Sequence, residues 1–332
     1  MRNRLSITLA ACILAAFMPR VSKAQIDPHF SQYFIQPMTL NPALTGAMDG
    51  KYRVSGIWRN QYGGSLSTIG VAGEAVSSKN MNFGVNMLHQ YSNDKAYQYT
   101  NATISGAYTG VAFGNHHLVM AMQLGVLDRR FNMNKFQFGS QWSAGVGFDP
   151  GAISGETLNN SGNTAFDAGA GIIYYDGTPN KTVHLFGGYS ASHLTRPVDP
   201  YISDDAKQRL PMRHSFHAGA RIAVSDMFDF VPNVLYMRQG NAQEKMVGAY
   251  FQLSAAKETD VMFGANMRFK DAVSPFAGFF HKGLTVGFSY DVSGLDNRAS
   301  ATARNSMEVS ISFVGLRSNS ESNTKPFYCP RF

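Results

Sequence analysis

Cysteine, charge and long apolar runs are all scarce in this chain of 332 residues. Its two cysteines are Cys12 and Cys329. Cys12 lies in a segment with the marks of an export signal, so the mature chain keeps Cys329 alone and can form no internal disulfide. Charged residues make up 15% of the sequence, against about 25% in soluble domains. Past residue 24 nothing approaches the roughly 20 consecutive apolar residues of a membrane-spanning helix, which excludes a helical membrane protein. The formal net charge is +7, but Arg2, Arg4, Arg20 and Lys23 fall in the signal, where no acidic residue offsets them. Without those four the chain carries only about +3, too little for the basic surface that nucleic-acid binding requires. No linker, composition break or charge block divides it.

Residues 1–24 read as a cleaved signal peptide. Arg2 and Arg4 form a basic start, Leu5 to Met18 is mostly apolar, and Ser22-Lys23-Ala24 supplies small residues before a cut at Gln25. Leu9-Ala10-Ala11-Cys12 also resembles a lipobox. That reading leaves an apolar stretch of only about seven residues, at the minimum for export, while the apolar run continues past Cys12.

What the chain does have is alternation. Met307, Val309, Ile311 and Phe313 interleave with Glu308, Ser310 and Ser312. Leu118, Met120, Met122, Leu124 and Val126 interleave with His117, Ala121, Gln123 and Gly125, save for Val119. A period of two puts each set on its own face of a strand. Fourteen such segments run from 52–59 to 306–314, most of 8–12 residues, near the 9–11 of a tilted membrane strand. Their even-numbered connections are all short, and the long ones, Arg129–Phe166, Leu194–Arg213 and Val292–Asn305, are all odd. This predicts an all-β fold: a transmembrane antiparallel up-and-down β-barrel of about 14 strands, short turns and both termini on the periplasmic side. Gly at 32 residues and aromatics at 12% suit twisted strands and interfacial rings. Met81, Phe83, Val85 and Met87 are expected toward lipid, Asn82, Asn86 and Gln90 toward the lumen. Tyr91, Tyr97 and Tyr99 are expected in the headgroup zone. Pro232 and Pro275 fall inside two candidate strands and argue against them, because each removes a ladder donor.

No catalytic constellation stands out. His116-His117 points to two faces of a strand and cannot chelate one ion. Asp204-Asp205 lies in a long connection with Lys207 and Arg209 and reads as a solvated loop. Gly145-Val146-Gly147 is turn chemistry. The chain is read as a non-enzyme with no metal and no cofactor.

Two segments outside the strands are more specific. Residues 25–51 carry Asp27-Pro28-His29-Phe30-Ser31-Gln32-Tyr33-Phe34 and then Leu40-Asn41-Pro42-Ala43-Leu44. Phe30, Tyr33 and Phe34 share one face of a helical turn, and Asn41-Pro42 is a turn signal. Residues 315–332 form a tail after the last strand (52–314 being the barrel) and hold Phe327, Tyr328, Cys329, Arg331 and Phe332. Both segments have two readings. Either they seal the periplasmic mouth, or they are docking surfaces whose exposed aromatics need a partner.

These residues resemble the PorP/SprF outer-membrane proteins of the type IX secretion system. The likeness rests on Asp27 to Phe34 with Leu40-Asn41-Pro42-Ala43-Leu44. It extends to Phe138-Gly139-Ser140-Gln141 with Gly147-Phe148, and to His193-Leu194-Thr195-Arg196-Pro197 with Leu210-Pro211-Met212-Arg213, so it spans the mature chain. It implies a secretion component in the outer membrane that aids export or surface display of cargo such as large adhesins, in association with gliding motility. It also implies periplasmic secretion components as partners. From another class, the alternation also suits a passive porin-like channel. The signal predicts a mature N-terminus at Gln25, which mass spectrometry of the purified protein reads directly; a lipid on Cys12 contradicts it.

Overall fold

The structure is a computed structural model and describes residues 26–77, 80–143, 145–155, 162–198, 209–293 and 305–315. The expected signal, Gln25, the Asp204-Asp205 pair and the tail beyond Gly315 lie outside the described residues. No described helix is long and apolar enough to cross a membrane.

The alternating segments form strands β1 (Tyr52–Gln61), β2 (Leu66–Val76), β3 (Met81–Ser92), β4 (Tyr97–Phe113) and β5 (His116–Phe131). A ribbon of β6 (Trp142–Ser143) and β7 (Gly147–Phe148) interrupts the long connection that follows. Then come β8 (Gly162–Asp176), β9 (Val183–Ser192), β10 (Arg213–Ser225), β11 (Phe228–Gln239) and β12 (Ala242–Ala256). β13 (Thr259–Arg268), β14 (Ala272–His281), β15 (Leu284–Ser293) and β16 (Ser306–Gly315) complete the wall. Apart from the ribbon, each strand pairs antiparallel with its neighbours. β1 closes the barrel on β16, with Tyr52 opposite Gly315 and Trp58 opposite Val309. Closure satisfies the edges, the condition for strands to stand in lipid.

Both suspect prolines lie in the wall. Pro232 faces Ala249 on β12, but the β10–β11 ladder skips from Asn233 to Phe230. Pro275 faces Ala265 on β13, and the β14–β15 ladder skips from Val273 to Phe276. Each missing N–H falls where one ladder is already broken, so the barrel carries the proline at the cost of one local gap. The short connection between β4 and β5 is only Gly114-Asn115, because β4 runs on through a register shift between Tyr108 and Val111.

The faces fall as the alternation requires. Phe83, Val85, Met87, Ile311 and Phe313 are exposed on the outer face, whereas Asn82, Gln90, Ser310 and Ser312 are buried inside. Tyr99 departs from its expected interfacial place. It is buried against the lumen with Ile57, Leu88, Leu127 and Leu210, because an aromatic inside the barrel, Phe30, gives it apolar surface to cover.

That aromatic belongs to a plug. Residues 27–50 thread the lumen, with 3₁₀ turns at Pro37–Thr39 and Pro42–Leu44. The helical turn expected at Phe30, Tyr33 and Phe34 appears as successive turns, closed by the Ile35 amide on the Gln32 carbonyl at 3.0 Å. Plug residues Phe34, Ile35, Leu40, Ala43 and Leu44 share one apolar cluster with wall residues such as Val119, Ile173, Val231 and Phe276.

The wall register yields a test at two neighbouring positions. Val309 is 44% exposed on the lipid face, while Ser310 is 1% exposed and donates to Gln32 Oε1 at 2.7 Å. Val309→Arg should destabilise the inserted barrel by roughly 2–4 kcal/mol, read by denaturant unfolding in vesicles. An open lumen would make Ser310→Arg cheap. In this filled lumen it should leave heat-modifiable gel mobility intact and expose residues 27–46 to protease.

Candidate functional site

The plug and the wall that seats it gather the unusual polar chemistry of the chain. The strands on either side of Asp27 end at the rim that carries the long connections. Gly46 lies at the opposite rim, where β1 begins and β16 ends. The plug therefore does not hang beneath the barrel as expected for a periplasmic segment, but crosses its length. Tyr52 and Gly315 lie with Gly46 at the short-turn rim, whereas Asp27 lies at the other. Asp27, Phe30, Ser31, Gln32, Phe34, Asn41 and Pro42 are buried, and Pro28, His29 and Tyr33 are half-buried. With the plug seated, the residues expected to form a docking surface face the wall instead.

At the long-connection rim His193 lies between two carboxylates. Its Nδ1 meets Asp167 Oδ2 at 2.7 Å and its Nε2 meets Asp27. Asp27 is also held through its amide to Gln239 Oε1 at 2.9 Å, and Gln239 Nε2 donates back to it at 3.1 Å. Burial by itself would depress the His193 pKa. The Asp27 charge, the hydrogen bonds to Asp167 and Asp27 and the Asp167 charge outweigh it and raise the value to about 9. Burial would raise the Asp27 pKa, but the His193 charge and hydrogen bond, then the Arg213 and Arg129 charges, hold it well below the carboxylate range. The result is a buried Asp–His⁺–Asp latch. Beside it His29 pairs with Glu244 at 2.9 Å.

One step deeper is an ion network. Arg59 and Arg268 converge on Asp291 at 2.9 and 2.6 Å, and Arg59 also reaches Glu308 at 3.3 Å. The two Glu308 oxygens accept the consecutive amides of Ser31 and Gln32 at 2.7 and 2.9 Å. Arg268 donates to Ser31 Oγ at 2.5 Å and Arg59 to the His29 carbonyl at 2.8 Å. Plug amides that have no strand to pair with thus find the Glu308 carboxylate, and that carboxylate finds the Arg59 guanidinium, itself shared with Asp291.

Further along, Asn41 is 0% exposed. Its Nδ2 donates to the Ile172 carbonyl at 3.1 Å and meets His217 Nε2 at 3.1 Å, while Oδ1 accepts from the Ala43 amide at 2.9 Å. Gly171 and Gly188 make room: a Cβ on Gly171 would lie 2.0 Å from Asn41 Oδ1. Gly84 does the same for Met38, at 2.4 Å from its sulfur. At the far rim Arg53 and Glu74, each 1% exposed and 2.6 Å apart, close the seat, and Glu74 accepts the Gly46 amide at 2.5 Å.

Segments that stand far apart in the sequence meet here. Asp27 joins His193, and Arg213 donates to the Thr39 carbonyl at 3.0 Å. Phe138-Gly139-Ser140-Gln141 instead braces the long connection, with Ser140 Oγ on the Ser154 carbonyl at 2.6 Å and Gln141 Nε2 on the Ala152 carbonyl at 2.9 Å. His116 and His117 stack on different tyrosines, Tyr174 and Tyr175. Sequence reasoning missed Arg59, Glu74, Arg268, Asp291 and Glu308. Their signal was a charge at a lumenal position of an alternating strand, readable only if something inside needs it. Two lumenal cavities beside the plug, among the described residues, are small. One by Tyr33, Leu44 and His217 is about 20 Å³ and one by Met38, Tyr99 and Arg213 about 30 Å³, room for roughly a water each.

Two outcomes test the seat. Glu308→Gln breaks a buried pair from one side, a change that costs about 3–5 kcal/mol where the other charges stay behind. It should speed hydrogen exchange of the Ser31 and Gln32 amides by about 100-fold or more with the barrel intact. The latch gives a pH sign. Because the folded His193 pKa is raised from 6.5 to about 9, its contribution is complete below about 6.5 and is lost as pH rises through about 9. Protease protection of the Asp27 end should therefore fall between pH 7 and 10, and His193→Gln should flatten that dependence.

With this geometry in hand, comparison with known proteins is informative. The toluene transporter TbuX of Ralstonia pickettii superposes with a TM-score of 0.51 at 10% identity, over 84% of this chain and 92% of the other. The Pseudomonas putida toluene transporter TodX gives 0.51 at 10%, over 86% and 93%. At such identity the likeness concerns the fold alone, that of an outer-membrane barrel. No curated protein matches the chain. The model of the family described as type IX secretion system membrane protein PorP/SprF matches residues 22–313, nearly the whole length. The chain belongs to the PorP/SprF family of type IX secretion system membrane proteins.

Proposed function

We propose that this chain is a non-enzymatic outer-membrane component of type IX secretion that aids export or surface display of cargo such as large, gliding-associated adhesins, and docks to the periplasmic apparatus. The observation that carries the reading is the filled lumen in a member of a secretion family. Residues 27–50 occupy the bore from rim to rim, and two cavities beside them hold about one water each. A diffusion channel needs a continuous aqueous path, which a seated plug denies. In this reading the short-turn rim faces the periplasm, as in barrels of this class. The tail after Gly315 then emerges at the periplasmic rim. Phe327, Tyr328 and Phe332 are costly to leave in water without a partner, and Arg331 supplies a charge for a carboxylate. The docking role moves from the N-terminal segment, which is committed to the lumen, to this tail.

A chain ended after Gly315 should insert with normal heat modifiability and lose both cargo display and capture of periplasmic secretion components. Unchanged display counts against the docking role. In planar bilayers the full chain should conduct no steady current, and a porin-like conductance would favour the channel reading.

A further inference from the structure

Beside the side-chain contacts above, the wall meets main-chain groups of the plug along its length. Gln239 accepts the Asp27 amide at 2.9 Å, and Arg59 donates to the His29 carbonyl at 2.8 Å. Glu308 takes the Ser31 and Gln32 amides, and Arg213 and Ser190 donate to the Thr39 and Leu40 carbonyls at 3.0 and 2.6 Å. Every residue offers a carbonyl, and every residue but proline an amide. Side-chain seats add selectivity, among them those of Asp27 at His193, of Asn41 at His217, of Phe30 against Tyr99 and of Phe34, whose ring lies 5.1 Å from that of Phe276. Sites that take peptide segments combine the two, main-chain bonds adding affinity and side-chain pockets specificity.

Part of the seat keeps its own partners when the plug is out. Arg59 and Arg268 hold Asp291 directly, and Arg53 holds Glu74, without help from any plug atom. Glu244 then loses His29, and His193 keeps Asp167 without Asp27, so an emptied lumen is a polar tunnel with two groups left to take a partner. We infer that the lumen is a polypeptide-binding site, filled in cis by residues 27–46, which takes a turn-forming segment of another chain carrying aromatic residues spaced as Phe30 and Phe34 once the cis segment is out. The inference rests on the export reading above and names the ligand class that reading leaves open. Because a tethered segment competes at millimolar effective concentration, a segment in trans binds only after the plug has been withdrawn.

The test inserts a specific protease site between Asp49 and Gly50 of the full chain. After cleavage and a urea wash, the barrel is offered two fluorescent peptides. One has the sequence of residues 27–46; the other is Gly/Ser-rich and keeps only the two phenylalanines at their spacing. Both should bind saturably, the uncleaved chain at least tenfold more weakly, and replacing both phenylalanines by serine should weaken binding tenfold or more. A folded, emptied barrel that takes only the native peptide, or neither, overturns the inference. Thr45 and Ser105 supply a lock, since their hydroxyl oxygens lie 2.8 Å apart. T45C/S105C should form a disulfide that abolishes peptide binding after cleavage. In cells it should abolish cargo display until reductant is added, with T45C and S105C alone as controls. Should the emptied barrel unfold, the lock decides: display by the oxidised chain at wild-type level overturns the inference. If peptides bind but loss of the whole chain leaves display unchanged, the export reading fails and the lumenal site stands.

Discussion

A fourteen-strand wall encloses a bore that its own side chains do not fill. Eight strands leave an interior just wide enough for side chains, and sixteen leave a water channel. This barrel lies between, and the chain answers with residues 27–50. Everything unusual inside follows from threading a segment with no strand partners through a closed sheet. Its amides and carbonyls are satisfied partly in its own turns and otherwise by side chains, since the wall's own main chain is largely spent on its ladders. That is why Glu308 faces two consecutive amides, and why guanidinium groups stand behind the carboxylates.

The charges inside are set in pairs and triads rather than singly. An isolated ion in such a place is costly, and a paired one is tolerated only when its remaining valences are met. Arg59, Arg268, Asp291 and Glu308 meet that condition among themselves, and Ser31 and Gln32 complete it. The same holds for His193, which bears its proton because two carboxylates face it. Such a seat is firm yet exchangeable, since polar partners can be traded for others, which a well-packed apolar core does not allow.

Close approach sets the other constraint. Gly84, Gly171 and Gly188 lie where Met38 and Asn41 come up against the wall, and a methyl group at any of them would collide with a plug or wall atom. Composition alone suggested that glycine serves strand twist. At these positions it serves the plug.

The barrel was legible from the residues because lipid imposes a rule that acts on each strand locally. Val309 out and Glu308 in follow from a period of two, whatever the rest of the molecule does. The parity of loop lengths gave closure, and the PorP/SprF motifs gave the family. The prolines misled because a ladder gap on one side is a property of the assembled sheet. Where the Asp27–Phe34 motif lies was beyond the sequence for a similar reason. Its pattern of aromatic and polar residues suits a surface that waits for a partner as well as one already filled. The choice depended on whether His193, Gln239 and Glu308, between 166 and 277 residues away in the chain, would come within hydrogen-bond reach of it. Alternation fixes which way a side chain points, but only closure of the barrel brings those side chains to one place.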